Sequence, residues 1–123
     1  MMNLTDARQA VADGLSAVDG LNVHAAPPVR NPRPGDGWVV VQRMTPQDFR
    51  RFGVTLLVAI VLGQDVASSE ELFNTLAMDT IDAAYGVQGL PVADVVLETD
   101  SVVLDGGSPL NIATLSLVTE VDR

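Results

Sequence analysis

The sequence has no cysteine and no lysine, and histidine occurs once, at His24. Without cysteine, neither a disulfide nor a thiolate metal centre can hold the fold together, and the redox compartment stays open. A lone histidine cannot assemble the usual nitrogen and sulfur ligand sets of zinc. It reads as a surface or edge-strand residue. The lack of lysine makes every basic side chain an arginine, which leans toward planar, bidentate contacts. No nucleophile elbow, phosphate-binding glycine loop or GxGxxG occurs, and the Asp105-Gly106-Gly107 triplet reads as a turn. The first residues show no basic segment followed by an apolar run, so no signal peptide is expected and folding is expected in the cytosol.

What is present begins with GVTLLVAIVLG, residues 53–63, the most apolar stretch of the chain. As a helix it would reach only about 16 Å, against the roughly 30 Å of a bilayer's hydrocarbon core. It does not span a membrane. As a strand it sends Val54, Leu56, Val58, Ile60 and Leu62 one way and Thr55, Leu57, Ala59 and Val61 the other. Both faces are apolar, which predicts an interior strand covered on both sides. Leu57 is therefore expected to be buried, and Leu57→Asp to block folding.

A length of 123 residues bounds the chain to one domain, 1–123. Leu4, Ala7, Val11, Leu15 and Val18 recur at helical spacing after Asn3, a candidate N-cap, and Asp19-Gly20 is expected to end that helix. Residues 21–25 predict a short edge strand stopped by Pro27 and Pro28. Residues 27–37, with four prolines and two glycines, predict an exposed loop. Residues 38–43 read as a strand and 44–52 as a polar connection. A second helix over 68–85 is opened by a Ser68–Glu71 capping box, buries Leu72, Phe73, Leu76, Ala77, Thr80, Ile81 and Ala84, and closes at Gly86. Residues 92–104 alternate, with Asp94, Glu98 and Asp100 on the wet side, and 110–121 form the antiparallel partner. The order α-β-β-β-α-β-β predicts an α+β fold: a mostly antiparallel sheet of four to five strands with two helices packed on one face.

Charge is uneven within a net −9. Residues 28–52 hold five of the seven arginines against Asp36 and Asp48, a local +3, while the remaining two arginines face fourteen acids, −12. The whole protein is a poor candidate for binding nucleic acid by phosphate neutralisation. Asp94, Glu98 and Asp100 share a strand face, but strand neighbours two apart stand about 7 Å from each other and no spaced loop ligands accompany them. They read as a solvated acidic face, as Asp79 and Asp82 do on the second helix. No metal, cofactor or catalytic group is expected.

Two features call for a partner. The loop bearing Arg30 and Arg33 and the segment bearing Phe49, Arg50, Arg51 and Phe52 combine apolar anchors with fork-shaped donors, a composition enriched at protein interfaces. The apolar second face of residues 54–62 also needs a cover, either folded-back loops or a neighbouring subunit. With LNVHAAPPVRNPRP, WVVVQR, the polar arm, GVTLLVAIVLG, SSEELFNTLAMDTIDAAYG and two closing strands in sequence, the chain resembles the tail terminator (tail completion) proteins of long-tailed bacteriophages.

That resemblance implies a non-enzymatic virion protein of the tail and neck, assembled in the host cytoplasm. It implies a ring, generally a hexamer, that caps the tail tube, halts its polymerisation and joins the tail to the head connector. Expected partners are further copies of the chain, the tail tube protein and the head–tail connector proteins. DNA would pass the acidic lumen without sequence-specific binding, and no membrane is involved. Loop contacts are expected from 27–37, 44–52 and the turn carrying Asp105. Two other readings stay open: a head-to-tail adaptor or tail-tube subunit, and a small α+β enzyme or ligand-binding protein using His24 with Asp94 or Glu98.

Overall fold

A computed structural model of the chain describes residues 1–27, 31–103 and 109–123. Its elements are α1 (Leu4–Ser16), β1 (Asn22–His24), β2 (Asp36–Pro46), β3 (Arg51–Gly63), α2 (Val66–Tyr85), β4 (Asp94–Val103) and β5 (Pro109–Asp122). The expected order is observed. Among the described residues the five strands form one sheet in the order β1-β2-β3-β5-β4. The β1–β2 pair is parallel and the other three are antiparallel, so the sheet is mixed but mostly antiparallel. β3 is its central strand.

Local chemistry sets the helix starts. Asn3 caps α1, its side chain accepting the Asp6 N–H at 2.8 Å. α1 stops at Ser16, with Ala17 as C-cap, earlier than the periodicity through Val18 predicts. Gly20 does take a positive φ of 94°, but in the turn that follows the helix. The start of α2 also differs. Asp65, not Ser68, is the N-cap, and its carboxylate accepts the Ser68 N–H at 2.8 Å. Asp is as strong a cap as Ser, and it stands two residues after Gly63, whose φ of 132° turns the chain out of β3.

Strand register sorts the side chains into cross-strand rows. On the covered face these rows are Val39, Val58, Leu115, Leu97 and Val41, Leu56, Leu117, Val95. Ala7, Val11, Ala12 and Leu15 of α1, and Leu76 and Ala84 of α2, join the same hydrophobic cluster. Both helices thus pack on one face. Arg8 extends that packing, because its guanidinium donates to the Ala25 carbonyl at 3.0 Å and the Val39 carbonyl at 2.7 Å. It is half-buried and anchors α1 to the sheet's β1–β2 side.

Among the described residues the other face carries no helix. Its rows are Trp38, Ala59, Thr114, Glu98, then Val40, Leu57, Ser116, Val96, then Arg43, Thr55, Val118, Asp94. Ala59 and Val61 are buried there, but Leu57 is only half-buried. The expectation that Leu57 lies inside is therefore corrected: Leu56, fully enclosed, is the core residue of that pair. At the Gly63 end the loop comes close, with the Gly35 N–H donating to the Val61 carbonyl at 2.8 Å. Gly35 has a φ of 94°, and a Cβ there would run into the Gly20 carbonyl oxygen. Only glycine suits this crossing.

Residues 44–52, expected as a connection, are mostly strand. β2 continues to Pro46 and β3 starts at Arg51, with Thr45 opposite Gly53 and Pro46 opposite Phe52. A bulge between Val41 and Arg43 precedes this extension. The segment is a hairpin end.

Candidate protein interface

The hairpin end is held by a short set of bonds. The Gln47 N–H donates to the Arg51 carbonyl at 3.0 Å, and Asp48 Oδ1 accepts the N–H groups of Arg50 and Arg51 at 2.8 and 2.9 Å. Those backbone N–H groups, of Arg50 first and then Arg51, with the Arg51 charge adding to them, hold the Asp48 carboxyl below the usual aspartate value. With its carboxylate spent on the turn, Asp48 fixes the backbone that presents Phe49, Arg50 and Arg51.

Phe49 is 75% exposed. The Arg50 guanidinium lies 5.4 Å from its ring centroid, within cation–π range. Phe52 behaves differently, packing partly buried against the core with the Arg123 guanidinium 5.5 Å from its ring. Arg123 also binds the tip directly: its Nε donates to the Phe49 carbonyl and its N–H to the Arg50 carbonyl, both at 2.8 Å. Sequence reasoning passed over Arg123 and Asp48. The Pro46-Gln47-Asp48 run is the available turn signal for Asp48, whereas the role of Arg123 follows from the Arg51–Asp122 register, which no local pattern carries.

The expected interface residues are thus partly assembled. Phe49, Arg50, Arg51 and Phe52 form one tip. Arg33 stands apart at an exposed turn, where its N–H donates to Asp36 Oδ2 at 2.9 Å. Arg30 and Asp105 lie outside the described residues, as do parts of the 27–37 loop and the 105–109 turn.

The tip projects. Asp94 opposite Val118 is the first β4–β5 pair, while β3–β5 pairing continues to Asp122, so four further residues, about 13 Å at 3.3 Å each, run past the start of β4. On the helix-free face a groove of about 670 Å³ lies between Arg43, Thr45 and Thr55 on one side and Pro91, Val118 and Glu120 on the other. A second cleft of about 480 Å³ lies between α2 and the β4–β5 pair, lined by Ser69, Glu70, Asn74, Asp100 and Asn111. There the Ser69 hydroxyl accepts from the Asn111 amide at 3.3 Å.

His24 is exposed on β1, and Asp94 and Glu98 are on β4, at opposite edges of the sheet. Four strand spacings, about 19 Å, separate them. The pairing of His24 with either acid is not formed. Among the described residues no group of three or more His, Cys, Asp or Glu side chains is placed to hold a metal ion. No helix among them is long and apolar enough to cross a membrane. Neither a protein-family model nor a curated protein matches this chain.

Proposed function

We propose that this chain is a structural subunit that joins copies of itself into a ring on the end of a phage tail tube, stopping tube growth and offering a surface to the head connector. The observation that carries the reading is the helix-free face of the sheet. Trp38, Val40, Leu57, Ala59 and Val61 make its β2–β3 half apolar, Ile112 of β5 lies opposite Val61, and several of these are only partly covered by the chain itself. Burying apolar area of this kind yields about 25 cal/mol per Å². A neighbouring copy is the cover available in every assembly of one protein.

The projecting tip supports the same reading, because a heterologous contact needs a protruding element on one side of a subunit and a receiving surface elsewhere. When the rotation between neighbours closes, such contacts make a ring. A ring that matches the tube on one side only is a cap. The balance of −12 outside residues 28–52 suits a lumen through which DNA slides without adhering.

The test is polymerisation of the cognate tube protein with and without this chain, with tube lengths measured by electron microscopy. Shorter, more uniform tubes carrying the chain at one end are expected. Equal lengths, with the chain on neither end, overturn the terminator reading and favour the adaptor.

A further inference from the structure

The hairpin tip and the β4 edge are opposite in charge and each carries an exposed apolar side chain, yet they cannot meet within one chain. Val96 pairs with Ser116, six residues before Asp122, so the tip beyond Asp122 lies about 20 Å along the sheet from Val96. Among the described residues no guanidinium of Arg43, Arg50, Arg51 or Arg123 has a carboxylate oxygen within 4.0 Å, and no carboxylate of Asp94, Glu98 or Asp100 has a guanidinium that near. The β4 side of the helix-free face presents acid, valine, acid in succession: Asp94, Val96 and Glu98 alternate on it, with Val118 opposite Asp94. Val96 is 43% and Val118 37% exposed. The tip presents the opposite charge, an exposed phenylalanine followed by two arginines.

We infer that the tip of one copy, Phe49 to Arg51, seats on the Asp94–Val96–Glu98 and Val118 surface of the next copy. Phe49 lies against the two valines, while Arg50 and Arg51 reach the flanking carboxylates. Such a contact uses different surfaces on its two sides, so it is directional and propagates around a ring. The charges set orientation and encounter rate more than affinity. The inference rests on the self-association part of the proposed function, and places it on named residues.

The cysteine-free background makes the test direct. Phe49→Cys and Val96→Cys variants are prepared separately, shown to be folded by circular dichroism, mixed under a mild oxidant and read by intact mass. The mixed Phe49→Cys/Val96→Cys dimer is expected to exceed both same-variant dimers severalfold. A Met78→Cys variant, at an exposed position on α2, serves as the collision control. Crosslinking to Met78→Cys at the same level overturns the inference. In parallel, Arg50→Glu with Arg51→Glu, or Asp94→Arg with Glu98→Arg, should each weaken self-association at least tenfold by native mass, and mixing the two should restore pairing. If wild-type rings form but neither variant weakens them, the contact lies elsewhere and the ring reading stands. If the wild-type chain stays monomeric at all concentrations, with and without tube protein, the inference and the ring reading both fail.

Discussion

The two faces of this sheet are built from the same strands and differ in what lies over them. On the covered face, rows such as Val41, Leu56, Leu117, Val95 are hydrophobic across the sheet and meet two helices. On the open face the composition changes along each row, from Val40 and Leu57 through Ser116 to Val96, or from Trp38 and Ala59 through Thr114 to Glu98. A row that is apolar throughout belongs to the subunit's own core. A row that grades from apolar to acidic within four residues is suited to an edge that another molecule covers in part. The contrast separates the residues that make the fold from those free to serve association.

The strongest way to break this comparison is to place one charge on each side of β3. Leu56→Asp buries an unpaired carboxylate, costing several kcal/mol of a total stability of roughly 5–15 kcal/mol, so the variant is expected to be unfolded or insoluble. Leu57→Asp, on the open face, should fold, lose about 1 kcal/mol, and fail to assemble. Circular dichroism with native mass reads both effects. Equal loss of folding in the two variants would show that the open face is core as well.

A smaller effect sharpens the covered side. Arg8→Ala removes two charge-assisted hydrogen bonds, to Ala25 and Val39, and should cost about 1.5–3 kcal/mol in denaturant unfolding. A change below about 0.5 kcal/mol, the size typical of exposed positions, would reduce Arg8 to a surface residue.

The smallest effect concerns the tip. Because backbone N–H groups lower the folded-state pKa of Asp48, its contribution is complete above the ordinary aspartate value of 3.8 and is lost as pH falls through the lower folded value. Asp65, lowered by the Ser68 N–H and then by its hydroxyl, follows the same sign at the start of α2. An NMR titration should therefore show the amides of Arg50, Arg51 and Ser68 moving only below pH 3.8, with the core signals unchanged. Movement of these amides near neutral pH would contradict the assigned bonds.

Much of this fold was legible in the chain. Helical spacing gave both helices, alternation gave the wet and dry sides of β4, and residues 53–63 identified the central strand. The faces of β3 were not legible, because Leu56 and Leu57 are the same residue type and alternation cannot rank two apolar sets. Register and helix placement decide that. The hairpin end was hidden for the opposite reason: residues 44–51 are all exposed, so no buried face imprints a period on them. Arg8 was hidden inside a helical pattern, since half-burial of an arginine depends on carbonyls contributed by distant strands. At the candidate interface, composition located Phe49 and Arg50, whereas Arg123 required the pairing of Arg51 with Asp122.

The β3–β5 pairing, which joins Arg51 to Asp122 and Val61 to Ile112, has a consequence for when the open face comes into being. The β2–β3 and β4–β5 hairpins link neighbours in sequence, but β3 and β5 are separated by all of α2 and β4, and contacts between such distant segments are the slowest to form. Every four-residue row on the open face crosses that seam. A nascent chain with only its hairpins made holds the tip in one hairpin and the Asp94–Val96–Glu98 surface in the other, but not the apolar open face that joins them. The seam sets the two contact surfaces at a fixed separation, and only then can one subunit meet a neighbour on both sides.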